Sequence, residues 1–211
     1  SAREYTKYLQ KAPEQHLNSR EALLEHNQKL IARAQNVLPQ AFGRLPQGPV
    51  GMKAIESFRE KDAPAAYYYG ASDDGSRQAY YYINTYRPET RYLYDMEALA
   101  YHEAVPGHHL QIALAQELRN LPDVRRHTGV TAFVEGWALY AELLSDELGL
   151  YSSPATRFGM LNFQSFRAAR LVVDTGMHAL GWNRERALAL MQNYLASGDD
   201  DILNEVDRYI I

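Results

Sequence analysis

The stretch Tyr101-His102-Glu103-Ala104-Val105-Pro106-Gly107-His108-His109-Leu110-Gln111 sets a Pro-Gly pair in the middle of an otherwise helical, apolar region. Proline inside a helix removes an amide and clashes with the preceding turn, while glycine accepts unusual dihedrals, so the hydrogen-bond ladder has to break here. The break falls among residues whose chemistry depends on spacing, because three His and one Glu lie within the eight residues 102–109. In the pattern His-Glu-x-x-His, imidazoles four apart share a helix face and can hold one ion, and the Glu beside the first His polarises water. Here Pro106 stands where the second ligand of that pattern belongs. In an unbroken helix His108 would sit about 240° round and about 9 Å along from His102, which excludes a shared ion. His109 would return to the face of His102 but about 10.5 Å up the axis. If two residues loop out at the Pro-Gly pair, His108 takes the place four after His102, with His109 as the alternative ligand. The plainer possibility is a solvated His cluster at a kink.

A catalytic metal site needs a third protein ligand and an open position. Glu135 is the candidate, in the run Phe133-Val134-Glu135-Gly136-Trp137-Ala138-Leu139-Tyr140-Ala141-Glu142. It follows His108 by 27 residues, room for a turn and the start of an antiparallel helix. Glu142, seven further on, shares that helix face. A carboxylate among apolar neighbours needs a cation or a hydrogen-bond partner. Metal fits Glu135, and a bond to a ligand histidine fits Glu142, with structural ion pairs as the alternative for both.

Composition narrows the chemistry. The 211 residues include no Cys, which removes disulfide scaffolds, thiol nucleophiles and Cys-ligated metal together. With 22 Lys+Arg against 26 Asp+Glu, the formal charge of −4 leaves no basic footprint for nucleic acid. No apolar run approaches the roughly 18–20 residues of a membrane span, and Ser1-Ala2-Arg3 opens onto polar sequence with no visible signal peptide. There is no Gly-x-Ser-x-Gly elbow and no phosphate-binding loop, and a di-iron bundle would need paired Glu-x-x-His motifs that Pro106 denies to Glu103.

Residues 1–17 show little periodicity. Asn18-Ser19-Arg20-Glu21 reads as a capping box opening a helix over 19–39, and Pro46, Gly48, Pro49 and Gly51 then mark a loop. Tyr-rich runs at 65–69 and 79–85 flank the turn Asp73-Asp74-Gly75-Ser76 and predict a β-hairpin. Helical signals follow over 95–119, 131–148, 154–180, 184–196 and 200–210. The expected class is mainly α with a small antiparallel β-sheet: a helical lead-in at 1–50, a hairpin at 64–86 and a helical metal-binding part from 95 onward.

His-Glu-x-x-Pro-Gly-His-His-Leu-Gln at 102–111, with the later Phe133-Val134-Glu135-Gly136-Trp137-Ala138, closely resembles the bacterial domain-of-unknown-function family 885. Further matches are Ala65-Ala66-Tyr67-Tyr68, Tyr82-Ile83-Asn84-Thr85, the segment 170–176 with His178, and Glu205-Val206-Asp207-Arg208-Tyr209-Ile210. Members of that family look like zinc metallopeptidases of the gluzincin type. The resemblance implies a zincin-like catalytic region with Zn2+ at His102, His108 and Glu135, Glu103 as general base, and a peptide or oligopeptide substrate. Members are longer on both sides, which makes 1–211 a single catalytic region within a longer protein, internal or C-terminal. Exported and lipid-anchored members occur, so periplasmic, lipoprotein and secreted locations are all compatible.

Other residues are candidates for supporting roles. Gluzincins set an antiparallel edge strand above the metal, and the run 79–85 just before the motif could serve, with Tyr82 and Asn84 as substrate contacts. Arg170, Asp174 and His178 stand four apart, so His178 could donate to an oxyanion, with Asp174 orienting its ring and Arg170 balancing charge. The same spacing also suits an exposed ion pair. Arg167 is a candidate for a substrate carboxylate. A rival function is a metal-stabilised, non-catalytic helical binding module of the cell envelope, though such a module has no need of the base Glu103.

Overall fold

The computed structural model describes residues 1–197 and 199–210. Helix α1 (Ala2–Leu9) opens the chain with a capping box in which Ser1 accepts from the Glu4 amide. The sequence reading left this region without regular structure, because only Thr6 and Leu9 of the helix are buried and eight residues are too few to display a period. Helix α2 (Arg20–Ala41) begins one residue later than expected. Its cap is Ser19, whose hydroxyl accepts from the Ala22 amide, rather than Asn18. Leu23, Leu30, Ile31, Ala34 and Leu38 form its buried face.

The sheet has three strands in the order β1-β3-β2, with β1 at Val50–Ala54, β2 at Ala66–Tyr69 and β3 at Ala79–Ile83. Strands β2 and β3 form the expected hairpin, with Tyr68 opposite Tyr81. The sheet is nevertheless mixed rather than antiparallel, because β1 runs parallel to β3. Strand β1 lies where the Pro- and Gly-rich sequence predicts only loop. Its five residues carry no fully buried position, so the pairing with β3 defines it and no apolar alternation announces it.

The single helix expected over 95–119 is two, α3 (Leu93–Glu103) and α4 (His108–Gln116), separated by the Pro-Gly break. A short α5 (Asp123–His127) follows, then α6 (Thr131–Glu147), α7 (Pro154–Leu180), α8 (Arg184–Tyr194) and α9 (Asp199–Ile210). The fold is thus mainly helical with a small mixed sheet. Among the described residues no helix is long and apolar enough to cross a membrane.

Two apolar clusters organise the packing. The first joins α2, the inner face of the sheet and the α3–α4 segment through Leu23, Leu30, Tyr81, Met96, Tyr101 and Leu110. The second lies between α7, α8 and α9, around Val173, Met191, Ile202 and Val206. Helix α7 is tied to the first as well, because Gly159 lets it come down on α3. A Cβ there would stand 2.0 Å from the Tyr94 carbonyl oxygen. Helix α3 is further held from behind by the buried Glu97, which accepts from Arg33 of α2 at 2.8 Å and from the Ser152 amide at 2.9 Å. Tyr101 adds a bond from its hydroxyl to the Leu150 carbonyl, 2.9 Å away. A helix pinned this firmly at its base can present its C-terminal residues in fixed positions.

Candidate metal centre

Helix α3 ends at Glu103, the chain passes through Ala104–Gly107, and α4 starts at His108. The Val105–Pro106 peptide is cis. Gly107 folds back onto the end of α3 so closely that a Cβ would meet the His102 carbonyl oxygen at 1.8 Å and that of Tyr101 at 2.4 Å, so only glycine fits. The Pro106 carbonyl accepts from the Trp137 indole at 2.9 Å, which fastens the loop to α6. The result is the loop-out that the Pro-Gly pair predicts. The His102 and His108 rings stand edge to face with centroids 4.8 Å apart, and nitrogen or carboxylate atoms of His102, Glu103 and His108 lie within 4.8 Å of one another.

His109 points elsewhere. Its Nδ1 accepts from the Tyr68 hydroxyl and its Nε2–H donates to the Gly48 carbonyl, each at 3.2 Å. Burial holds this ring neutral, with its pKa down at about 4, and that is the form both bonds require. His109 therefore ties α4 to β2 and to the loop before β1, and it is His108, not His109, that faces His102 and Glu135.

Helix α6 brings its carboxylates across. Glu135 faces both imidazoles, with Oε2 3.6 Å from His102 Nε2 and Oε1 3.6 Å from His108 Nε2. Glu142, 2% exposed, lies behind His102 and accepts from its Nδ1–H at 2.8 Å. That bond fixes the tautomer and leaves the Nε2 lone pair facing Glu135 and His108. Helix α7 supplies Arg167, whose Nη1 donates to Glu135 Oε2 at 3.2 Å and whose Nη2 lies against the His102 ring, 3.1 Å from Nε2 and 3.3 Å from Nδ1.

Hydrogen bonding to His102, with help from His108 and Arg167, holds the Glu135 carboxyl down at about 2 against the opposing effect of its partial burial. Burial disfavours charge on His102, but Glu135 and Glu142 outweigh it and draw the ring up to about 9. His108 is pushed down to about 4 by burial and then by His102, which keeps its Nε2 available as a donor atom. Burial raises the Glu103 carboxyl, and the backbone amide of Tyr68 faces it from β2.

These residues fit a zinc ion. Ligands about 2.0–2.1 Å from a tetrahedral zinc stand about 3.4 Å from one another, close to the 3.6 Å that separates Glu135 from each imidazole. The donor set is nitrogen and oxygen, and the bond from His102 Nδ1–H to Glu142 leaves Nε2 turned toward Glu135.

Several expected contributors lie away from this cluster. Asn84 is buried and used up as a clip: it donates to the carbonyls of Glu60, Ala63 and Pro64 and accepts from the Tyr86 amide. Tyr82 stacks on Tyr67, centroids 4.8 Å apart, on the sheet face opposite the buried Tyr81. Strand β3 is the central strand and has no free edge for a peptide; the edge beside the cluster is β2. His178 is 58% exposed and pairs with Asp174 at 3.3 Å, about 16 Å along α7 from Arg167. Arg170 turns away to Glu205 of α9, at 3.1 Å, and does not join that pair. Conversely, the sequence reading missed Tyr68 and Trp137 as site contacts, and nothing in their neighbours' spacing signals that role. A groove of about 580 Å³ opens between α4, α5 and the start of α6, lined by Gln111, Val124, Arg125, Val130, Phe133 and Val134.

The break, the paired imidazoles and the facing carboxylates form a His/Glu cluster in a mainly helical protein, and comparison places the chain. The family model described as "Bacterial protein of unknown function (DUF885)" matches residues 1–211, and the chain belongs to that family. It is similar to a crystal structure described as "the putative lipoprotein from Colwellia psychrerythraea", with 35% identity and a TM-score of 0.93. The match covers 99% of this chain and 36% of that one, so the chain spans about a third of its solved relative. Among curated proteins nothing matches.

Proposed function

We propose that this chain is the metal-binding catalytic segment of a zinc-dependent peptidase. The observation that carries the reading is the convergence of His102 Nε2, His108 Nε2 and the Glu135 carboxylate beside a half-buried fourth group, Glu103. His102, His108 and Glu135 would hold the ion, and Glu142 would keep His102 in the ligating tautomer. When bound, zinc supplies Lewis acidity toward a carbonyl oxygen and makes water a stronger nucleophile near neutral pH.

Glu103 does the proton work. Its burial raises the carboxyl toward the range in which it can accept a proton from the attacking water and return it to the leaving amine. The free edge of β2 can pair with an extended peptide backbone alongside Glu103, and the groove by Val134 and Phe133 offers space for a substrate side chain. A cell-envelope location is supported by the similar structure's description as a lipoprotein.

The test is direct. The purified protein should contain about one zinc by mass spectrometry of the metal, lost in His102→Ala and in Glu135→Ala. Glu103→Gln should retain the zinc and lose cleavage of a fluorogenic peptide library. Zinc-free wild type, or undiminished turnover in Glu103→Gln, would sink the reading.

A further inference from the structure

We infer that the groove between α4, α5 and α6 receives a large apolar side chain from the N-terminal side of the scissile bond, and that Arg125 turns basic side chains away; the inference rests on the peptidase reading above. The groove encloses about 580 Å³, within the range of pockets that take small ligands. Its walls include Ile112, Val124, Val130, Phe133 and Val134. Three of these are largely open to solvent, with Val124 68% exposed, Val130 64% and Phe133 58%. Apolar side chains gathered around one concavity and left open mark a place where an apolar group binds.

The groove is continuous with the candidate centre. Val134 directly precedes Glu135 on α6, and Gln111, also in the wall, stands three residues and about 4.5 Å beyond His108 on α4. Strand β2 leads to the same place. Tyr68 turns its backbone amide to Glu103. Two residues on, about 7 Å along an extended chain, Gly70 lies beside the groove wall, where a Cβ would stand 3.6 Å from Ile112 Cγ2. The turn that follows is tied to α5 by Asp73, 2.7 Å from His127 Nε2. A peptide on the free edge of β2 therefore runs from Glu103 toward the groove. Antiparallel pairing is the more stable ladder. Because β2 runs from Ala66 toward Gly70, that pairing puts the N-terminal half of the peptide at the groove.

Charge decides which side chains are refused. Arg126 is taken up by Asp123 and the Gln116 carbonyl, and His127 by Asp73. Arg125 is exposed in the groove wall, and among the described residues no carboxylate pairs with it. An unpaired guanidinium beside an apolar wall repels Lys and Arg and leaves large apolar side chains as the fit.

The experiment digests a peptide library with the zinc-loaded protein, reads the cut sites by mass spectrometry, and measures kcat/KM for peptides that differ at one position. One position N-terminal to the cut should favour Phe over Ala by about tenfold or more and exclude Lys and Arg. Phe133→Asp should erase the preference for Phe over Ala, and Val130→Asp serves if that variant fails to fold. Arg125→Glu should raise kcat/KM for the Lys peptide about tenfold or more. Equal cleavage of the Phe, Ala and Lys peptides, or a preference confined to the C-terminal side of the cut, overturns the inference and leaves the peptidase standing. An unchanged Phe preference in the groove variants, with a lowered melting temperature or without one, does the same. Continued exclusion of Lys by Arg125→Glu overturns the role of Arg125. A zinc-loaded wild type that cuts no peptide in the library overturns the peptidase reading, and the inference with it.

Discussion

Residues 102–109 and residues 167–178 both carry titratable side chains at helical intervals, and they meet opposite fates. In the first segment the helix breaks, the chain folds back on Gly107, and three histidines end up buried, with the half-buried Glu103 beside two of them. In the second the helix runs on unbroken, so its groups are spread along the rod: Arg167 on Glu135, Arg170 on Glu205, Asp174 and His178 together at the surface. Regular helix spacing strings charged groups out, and the surface pairs it makes are worth a few tenths of a kcal/mol. An interruption gathers them. Convergence here is a product of broken structure supported by rigid structure on either side.

The contrast can be tested by substitution. The largest effect should come from Glu103→Gln, with kcat for peptide cleavage falling about 10²–10⁴-fold while zinc stays bound. Gly107→Ala should be nearly as severe in another currency: with a Cβ 1.8 Å from a carbonyl carbon's oxygen, chemical denaturation should show a loss of about 3 kcal/mol or more, together with lost zinc. Next is Glu142→Gln, which should weaken zinc binding about 10–100-fold by loosening the hold on His102. At the far end, His178→Ala and Asp174→Ala should change stability by less than about 0.5 kcal/mol and leave turnover as it is. A large loss of activity in His178→Ala would mean that the two segments work together after all.

The motif segment was readable because its information is local. Pro106 and Gly107 announce a break, and His102, Glu103 and His108 are the side chains that the break brings together. Glu135 and Glu142 were also readable, since carboxylates seven apart on an apolar helix face must answer to something across from them. Three kinds of fact were not. The parallel pairing of β1 with β3 depends on a partner 29 residues away, as Val50 with Ala79 shows, and leaves no periodic trace in β1 itself. The roles of Tyr68, Trp137 and Arg167 depend on how separate elements dock. Asn84 shows the converse error: a polar residue beside a motif suggests function, yet this one is spent on carbonyls of a neighbouring loop.

The bond from Trp137 to the Pro106 carbonyl has a practical consequence. The chain contains only two tryptophans. Trp137 hangs on the loop between the two histidines, whereas Trp182 packs against Gly176 beyond the end of α7, under the Arg186 guanidinium. Indole emission responds to the polarity and hydrogen bonding around the ring, so each half of the molecule carries its own optical reporter. A Trp182→Phe protein would glow from the Pro106 loop alone, and a Trp137→Phe protein from the α7–α8 corner alone. Titrating zinc into the first should shift its spectrum, while the second stays dark to the event.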